Sequence, residues 1–141
     1  MSEVFELPVT VRFADCDAAG IHFFPRYLER VNQTVEEWFE QALGCSFRTL
    51  HLERRESVPT AKLEADFHAP SRLEDALVYR LSVARLGRAS ATLRTRIVCG
   101  EDLRAEVRHV IVFADLESLK ARSWPADLRD RMTPFVEEAA A

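Results

Sequence analysis

The sequence predicts an α+β fold in which a curved antiparallel sheet of about five strands wraps around one long helix. Three observations predict it. An apolar stripe with helical period runs from Phe24 to Leu43. Period-two alternation then dominates to about Asp115, and only short turn signals separate the last runs, so consecutive strands pair antiparallel. A sheet with one apolar face must be covered, and only one long helix is available to cover it.

The elements follow in order. Val9, Val11 and Phe13 alternate with Thr10 and Arg12, the period of a half-buried strand. It ends at Asp15-Cys16-Asp17-Ala18-Ala19-Gly20, where small residues, two acids and a glycine permit a turn. Tyr27, Leu28, Val31, Val35, Trp38, Phe39, Ala42 and Leu43 recur at helical offsets, with Glu29, Arg30, Glu36 and Glu37 elsewhere. Pro25 suits the first helical position, because its missing N–H would have no partner there, and Gly44 supplies the stop. The stretch from Arg48 to Glu56 is charged and irregular. Thr60 to Phe67 forms a strand before the Ala69-Pro70-Ser71 turn. Leu77 to Val83, Ala91 to Ile97 and Ala105 to Phe113 alternate, with Gly87-Arg88 and Gly100-Glu101-Asp102 between them as turns. A short tail after Trp124-Pro125 makes about one helical turn. Exposed edge strands favour pairing with a second copy of the chain.

A length of 141 residues with 48% hydrophobic content suits one domain spanning 1–141. Nineteen basic residues against 23 acidic ones, a formal charge of -4, provide no global field to gather nucleic acid. The N-terminus lacks a basic segment followed by an apolar one, and no apolar run approaches the roughly 20 residues of a membrane span, so neither export nor a membrane partner is expected. Cys16, Cys45 and Cys99 have no paired spacing, and His22, His51, His68 and His109 have no ligand spacing. No disulfide framework or metal site is therefore expected, and a reducing cytoplasm fits.

The segment from Asp15 to Pro25 puts a carboxylate in a loop that leads directly into a helix N-terminus, where the first N–H groups point outward unpaired. A carbonyl oxygen on those groups would be polarised as in an oxyanion hole. A carboxylate beside it could attack the carbonyl to form a mixed anhydride, or take a proton from an attacking water. A thioester suits either route, because its thiolate leaves with little protonation. The structural alternative is that Asp15 and Asp17 only shape the turn and cap the helix.

The run Arg12-Phe13-Ala14-Asp15-Cys16-Asp17-Ala18-Ala19-Gly20-Ile21, followed by Pro25-Arg26-Tyr27, resembles the signature of the 4-hydroxybenzoyl-CoA thioesterase family: a strand, D-x-D-x-x-G, then a helix with an early N-Y or R-Y. The resemblance continues through Phe67-His68-Ala69-Pro70-Ser71-Arg72-Leu73-Glu74-Asp75 and Trp124-Pro125-Ala126-Asp127. It implies a hotdog fold and a homo-oligomer, a dimer or a tetramer built of dimers, with active sites between subunits. It implies hydrolysis of an acyl-CoA without metal or other cofactor, coenzyme A being part of the substrate. Asp17 corresponds to the family's catalytic carboxylate, and the Phe24 backbone amide to its oxyanion donor. Relatives resembling the Tol-Pal-associated thioesterases carry histidine at the Phe24 position. Here the nearest histidine is His22, read as a solvent-facing loop residue that could line the site.

Asn32 interrupts the apolar stripe between Leu28 and Val35, so a buried amide is expected there, either meeting the acyl group or bonded within the core. The first role follows from the resemblance, since the family's aromatic thioesterases bind a ring hydroxyl with a polar helix residue in this region. Arg85 and Arg88 flank a hairpin where the family often holds the CoA phosphates, and arginine's planar fork suits phosphate; solubilising the turn is their alternative role. Arg72 is a weaker candidate for the same task. Cys16 reads as a small packing residue. A hotdog dehydratase would need an Asp/His pair in a different motif, which is not found, and the rival class is a non-catalytic acyl-CoA binding module or a scaffold in a protein complex.

Overall fold

The computed structural model describes residues 2–138. In chain order its regular elements are β1 (Phe5–Thr10), α1 (Phe24–Gln41), β2 (Glu56–Ser57), β3 (Thr60–Phe67), β4 (Ala76–Leu86), β5 (Ser90–Cys99), β6 (Asp102–Val112), β7 (Ala114–Asp115) and α2 (Ala126–Met132). Five strands form one antiparallel sheet in the order β1-β4-β5-β6-β3, and β2 pairs with β7 in a small second sheet. Register shifts at Val83/Arg85 and Ile97/Val98 bend the central strands, as an extra residue in one strand does.

The inward stripes are those the alternation predicts. Leu77, Tyr79, Leu81 and Val83 of β4 and Ala105, Val107, His109 and Ile111 of β6 are buried against the α1 side. The first half of α1 packs Tyr27 and Val31 on Leu77, Tyr79 and Ile97. Its second half packs Trp38 and Phe39 on Leu81, Val83 and Leu93. The helix opens with Pro25 at its second residue and stops before Gly44, which takes φ +66° with the Arg131 guanidinium beside it. A side chain there would meet both the left-handed backbone and that guanidinium.

Three expectations need correction. The first strand lies earlier than the alternation suggests, over Phe5–Thr10, because its pairing with β4 ends at Thr10 opposite Ala76. The chain then bends into a 3₁₀ turn over Phe13–Asp15, which leaves Phe13 85% exposed rather than facing inward. The tail is longer than one turn. It comprises α2 and a 3₁₀ turn over Thr133–Phe135, and it buries Leu128, Met132 and Phe135, the last edge-on to Trp38.

The sheet has two functional ends. One, the turn end, gathers Thr10, Ala76, Ala105 and Phe67; the other gathers Leu86, Ser90, Val112 and Thr60. The 11 residues of β4 separate them by about 33 Å. Strand β3 is an edge, exposed along nearly its whole length.

Candidate active site

Asp15 and Asp17, two residues apart, have opposite surroundings. Asp15 is 3% exposed, its Oδ2 accepts the Arg12 N–H at 2.9 Å, and its backbone carbonyl accepts the Phe23 N–H at 2.7 Å. That second bond closes the base of a small loop. Within the loop Cys16 bridges to His22, and the Asp17 N–H donates to the Ile21 carbonyl at 3.0 Å. Gly20 turns the tip at φ +79°, a conformation that favours glycine. Asp17 rides on this tip, exposed to solvent, with Oδ1 accepting the Ala19 N–H at 2.9 Å. A carboxylate held by one backbone bond on a rigid turn is oriented yet still open to react.

Phe24 opens α1 directly beyond the loop's base. Its N–H has no intrahelical acceptor, and among the described residues none of the loop and cap hydrogen bonds uses it. The turn thus presents an exposed carboxylate held by one backbone bond, and the helix that begins just beyond its base presents its first amide.

His22 is not solvent-facing. It is 5% exposed, stacked on Tyr27 with ring centroids 4.0 Å apart, and its Nδ1 donates to the Phe23 carbonyl at 3.1 Å. Burial pushes its pKa below the usual value, partly offset by that backbone bond and by Asp15, so the imidazole is neutral at pH 7. The burial comes from the following loop: the His22 N–H donates to the Ser71 carbonyl, and Ile21 bridges to Arg72. The Tyr27 hydroxyl donates to Ser71 Oγ at 2.7 Å, and Arg104 donates to Ser71 Oγ and to Asp75. The bond from Arg104 holds the Asp75 carboxyl below the ordinary carboxylate range. His22, Phe24, Tyr27, Phe67 and Pro70 line a cavity of about 260 Å³ beside the turn.

The other predicted residues lie apart from the turn. Asn32 is exposed rather than buried; the polar residue that α1 does bury is Thr34, whose hydroxyl donates to the Arg30 carbonyl. Its stripe position sets it at the margin of the helix's apolar face, above a second cavity. Arg85 and Arg88 are exposed at the far end of β4, with Arg88 donating to Ser123 Oγ at 2.6 Å. Within one chain neither reaches Asp17. Arg72, bridged to Ile21 and exposed, is the arginine of the three that the fold brings beside the turn.

The second cavity, about 340 Å³, sits at the far end between α1 and the starts of β2 and β3. Val35, Phe47, Ile111 and Leu116 give it an apolar lining, and Asn32, His51, Ser57, Thr60 and His109 add polar groups. Sequence reasoning missed Ser57 and His109. The available signal was His109 itself, the one titratable residue in the inward stripe of β6. Among the described residues no cluster of three or more His, Cys, Asp or Glu is arranged to hold a metal ion.

Residues 11–132 match the model of the thioesterase-like superfamily. A 1,4-dihydroxy-2-naphthoyl-CoA hydrolase of Synechococcus sp. (strain CC9605) is 34% identical over 116 residues, covering 78% of each chain. The acyl-CoA thioester hydrolase YbgC of Escherichia coli O6:H1 is 27% identical over 126 residues, 89% of this chain and 92% of that one. The crystal structure of Slr0204, a 1,4-dihydroxy-2-naphthoyl-CoA thioesterase from Synechocystis, superposes with a TM-score of 0.84 at 21% identity, covering 93% of this chain and 96% of that one. The fold is of the hotdog type, and the chain belongs to the thioesterase-like superfamily and is a thioester hydrolase.

Proposed function

We propose that this single hotdog domain, spanning 1–141, hydrolyses an acyl-CoA with an aromatic or short- to medium-chain acyl group. Asp17 is the catalytic carboxylate and the Phe24 N–H the oxyanion donor. The observation that carries this reading is an exposed, oriented Asp17 on a closed turn that leads straight into a helix whose first amide has no partner among the described residues. With the thioester oxygen on the Phe24 N–H, negative charge developing there is stabilised. The Asp17 carboxylate then adds to the carbonyl carbon and expels CoA thiolate, leaving an anhydride that water opens, or it takes a proton from the water that adds. Either way water supplies the acid's oxygen and the thiol's proton. No cofactor enters beyond the coenzyme A of the substrate. The names of the relatives, which act on aromatic and other acyl-CoA esters, support the substrate class.

The assembly in this reading is a dimer or a tetramer built of dimers, in the cytoplasm. No helix of the described residues is long and apolar enough to cross a membrane. Two features support self-association: the exposed edge of β3, and the uncovered aromatic rings of Phe23, Phe24 and Phe67 beside the turn. Antiparallel pairing of two β3 edges about a two-fold axis would bring the turn end of one chain to the far end of the other. The far-end cavity with Asn32, together with Arg85 and Arg88, would then serve the Asp17 and His22 of the second copy, with the arginines on the CoA phosphates.

The test is release of free CoA, read with a thiol reagent, from a panel of acyl-CoA esters. Asp17→Asn should cut turnover by about a thousandfold while leaving circular dichroism unchanged. Unchanged turnover would remove Asp17 from its role, and binding without release would make the protein a binding module. Sedimentation should give the mass of two chains or a multiple of two; a monomer active at assay concentration would refute the shared site.

A further inference from the structure

Among the described residues three that are not glycine take a positive φ: Arg55, Glu74 and Leu119. Arg55 and Glu74 carry charged side chains that water solvates. Leu119 differs. At φ +57° it is also 61% exposed, so a bulky apolar residue bears both a left-handed backbone and a loss of burial. It sits in the turn of a hairpin in which Ala114 bridges to Ala121. That turn requires only a positive φ, which glycine supplies without strain. The turn therefore gives no reason for a leucine side chain.

The hairpin also fixes where Leu119 stands. Its N–H donates to the Asp115 carbonyl at 2.9 Å, and the Asp115 N–H to the Lys120 carbonyl at 3.0 Å. Asp115 Oδ2 accepts the Ser118 N–H at 2.9 Å, and the Leu116 N–H donates to the Arg55 carbonyl. What Leu119 borders is the far-end cavity. The apolar wall of that cavity runs from Val35 and Ile111, 3% and 2% exposed, through half-buried Phe47 and Leu116 to Leu119 at the rim. A ligand filling the cavity as far as the rim would cover Leu119 and take its apolar surface out of water.

We propose that Leu119 is a specificity-determining residue that closes on the end of the acyl group remote from the thioester, so that groups long enough to reach it with an apolar end bind more tightly. This rests on the shared-site reading above, in which the far-end cavity serves the second copy's Asp17, and adds the residue that reads the group's length. Because the hairpin already holds Leu119 in place, little conformational freedom is lost when a ligand arrives.

Binding is measured by calorimetry with CoA and its S-methyl, S-hexyl and S-phenacyl thioethers, which cannot be hydrolysed. In the wild type the S-hexyl or the S-phenacyl group should bind about tenfold or more tighter than S-methyl. Leu119→Gly and Leu119→Asn, both at ease at positive φ, should each lose about tenfold on the longer group while CoA and S-methyl-CoA bind as before. Leu119→Met keeps an apolar side chain and should retain most of the gain. The Tm of Leu119→Gly should match or exceed that of the wild type, because the backbone strain is relieved, which a merely structural role for Leu119 would not give. The proposal is overturned by a wild type indifferent to the longer groups, by a full gain in both the Gly and Asn variants, or by an equal loss for every ligand. A smaller sedimenting mass for Leu119→Gly would make Leu119 a subunit contact and overturn it too. The expected binding pattern with no CoA released from the matching thioesters would instead overturn the catalytic reading alone.

Discussion

The cavities at the turn end and at the far end of the sheet differ in how the chain treats the polar groups that line them. Beside the turn, the buried polar groups that line the cavity are engaged by the chain itself: His22 by Phe23 and Tyr27 by Ser71. At the far end Ser57 and His109 border a cavity of about 340 Å³ with buried polar atoms that have no partner among the described residues. A polar group satisfied by the protein holds a scaffold in place, whereas a buried one left without a partner carries the cost of its lost hydration. Asp15 and Asp17 repeat the contrast over two residues, the first sealed and bonded, the second open at the tip of the turn.

Breaking these contrasts gives graded effects. The largest is the Asp17→Asn loss of turnover, about 4 kcal/mol of barrier, which should come with no measurable change in urea unfolding because the side chain is exposed. A large loss of stability would place Asp17 with Asp15 as a scaffold residue.

Next comes the acid dependence of stability set by His109. Its folded pKa is about 4, while an imidazole in the unfolded chain titrates near 6.5. Between those values the unfolded chain binds a proton that the folded one refuses, so stability rises with pH across that window, by about 3 kcal/mol in all. Outside the window this group contributes no slope. In His109→Leu the urea midpoint should lose this part of its pH dependence, and equal slopes in variant and wild type would mean that His109 is not sealed.

The smallest effect is that of Asp15→Ala, which leaves the Arg12 N–H without its partner and should cost about 2 kcal/mol in urea unfolding. No loss would show that Asp15 is no more a scaffold residue than Asp17.

Much of this could be read along the chain. The stripe from Tyr27 to Leu43, the strand at Thr60–Phe67 and the D-x-D-x-x-G turn all appear where periodicity and composition put them, because each depends on residues within a few positions of one another. His22 was misread because the group that covers it belongs to another loop, through Ser71 and Arg72. Asn32, expected buried, is exposed, because a residue at the edge of a helical stripe is covered or not according to how far the sheet wraps.

By itself the sequence determined the α+β class, the long helix, the antiparallel runs and the turn that presents Asp17, since hydrophobic period and turn chemistry are local properties. Only the tertiary structure decided which aspartate is sealed, which end of the sheet each arginine occupies, and that Ser57 and His109 border one cavity. Those facts depend on strand register and on packing between segments far apart in the chain, and no local pattern encodes them.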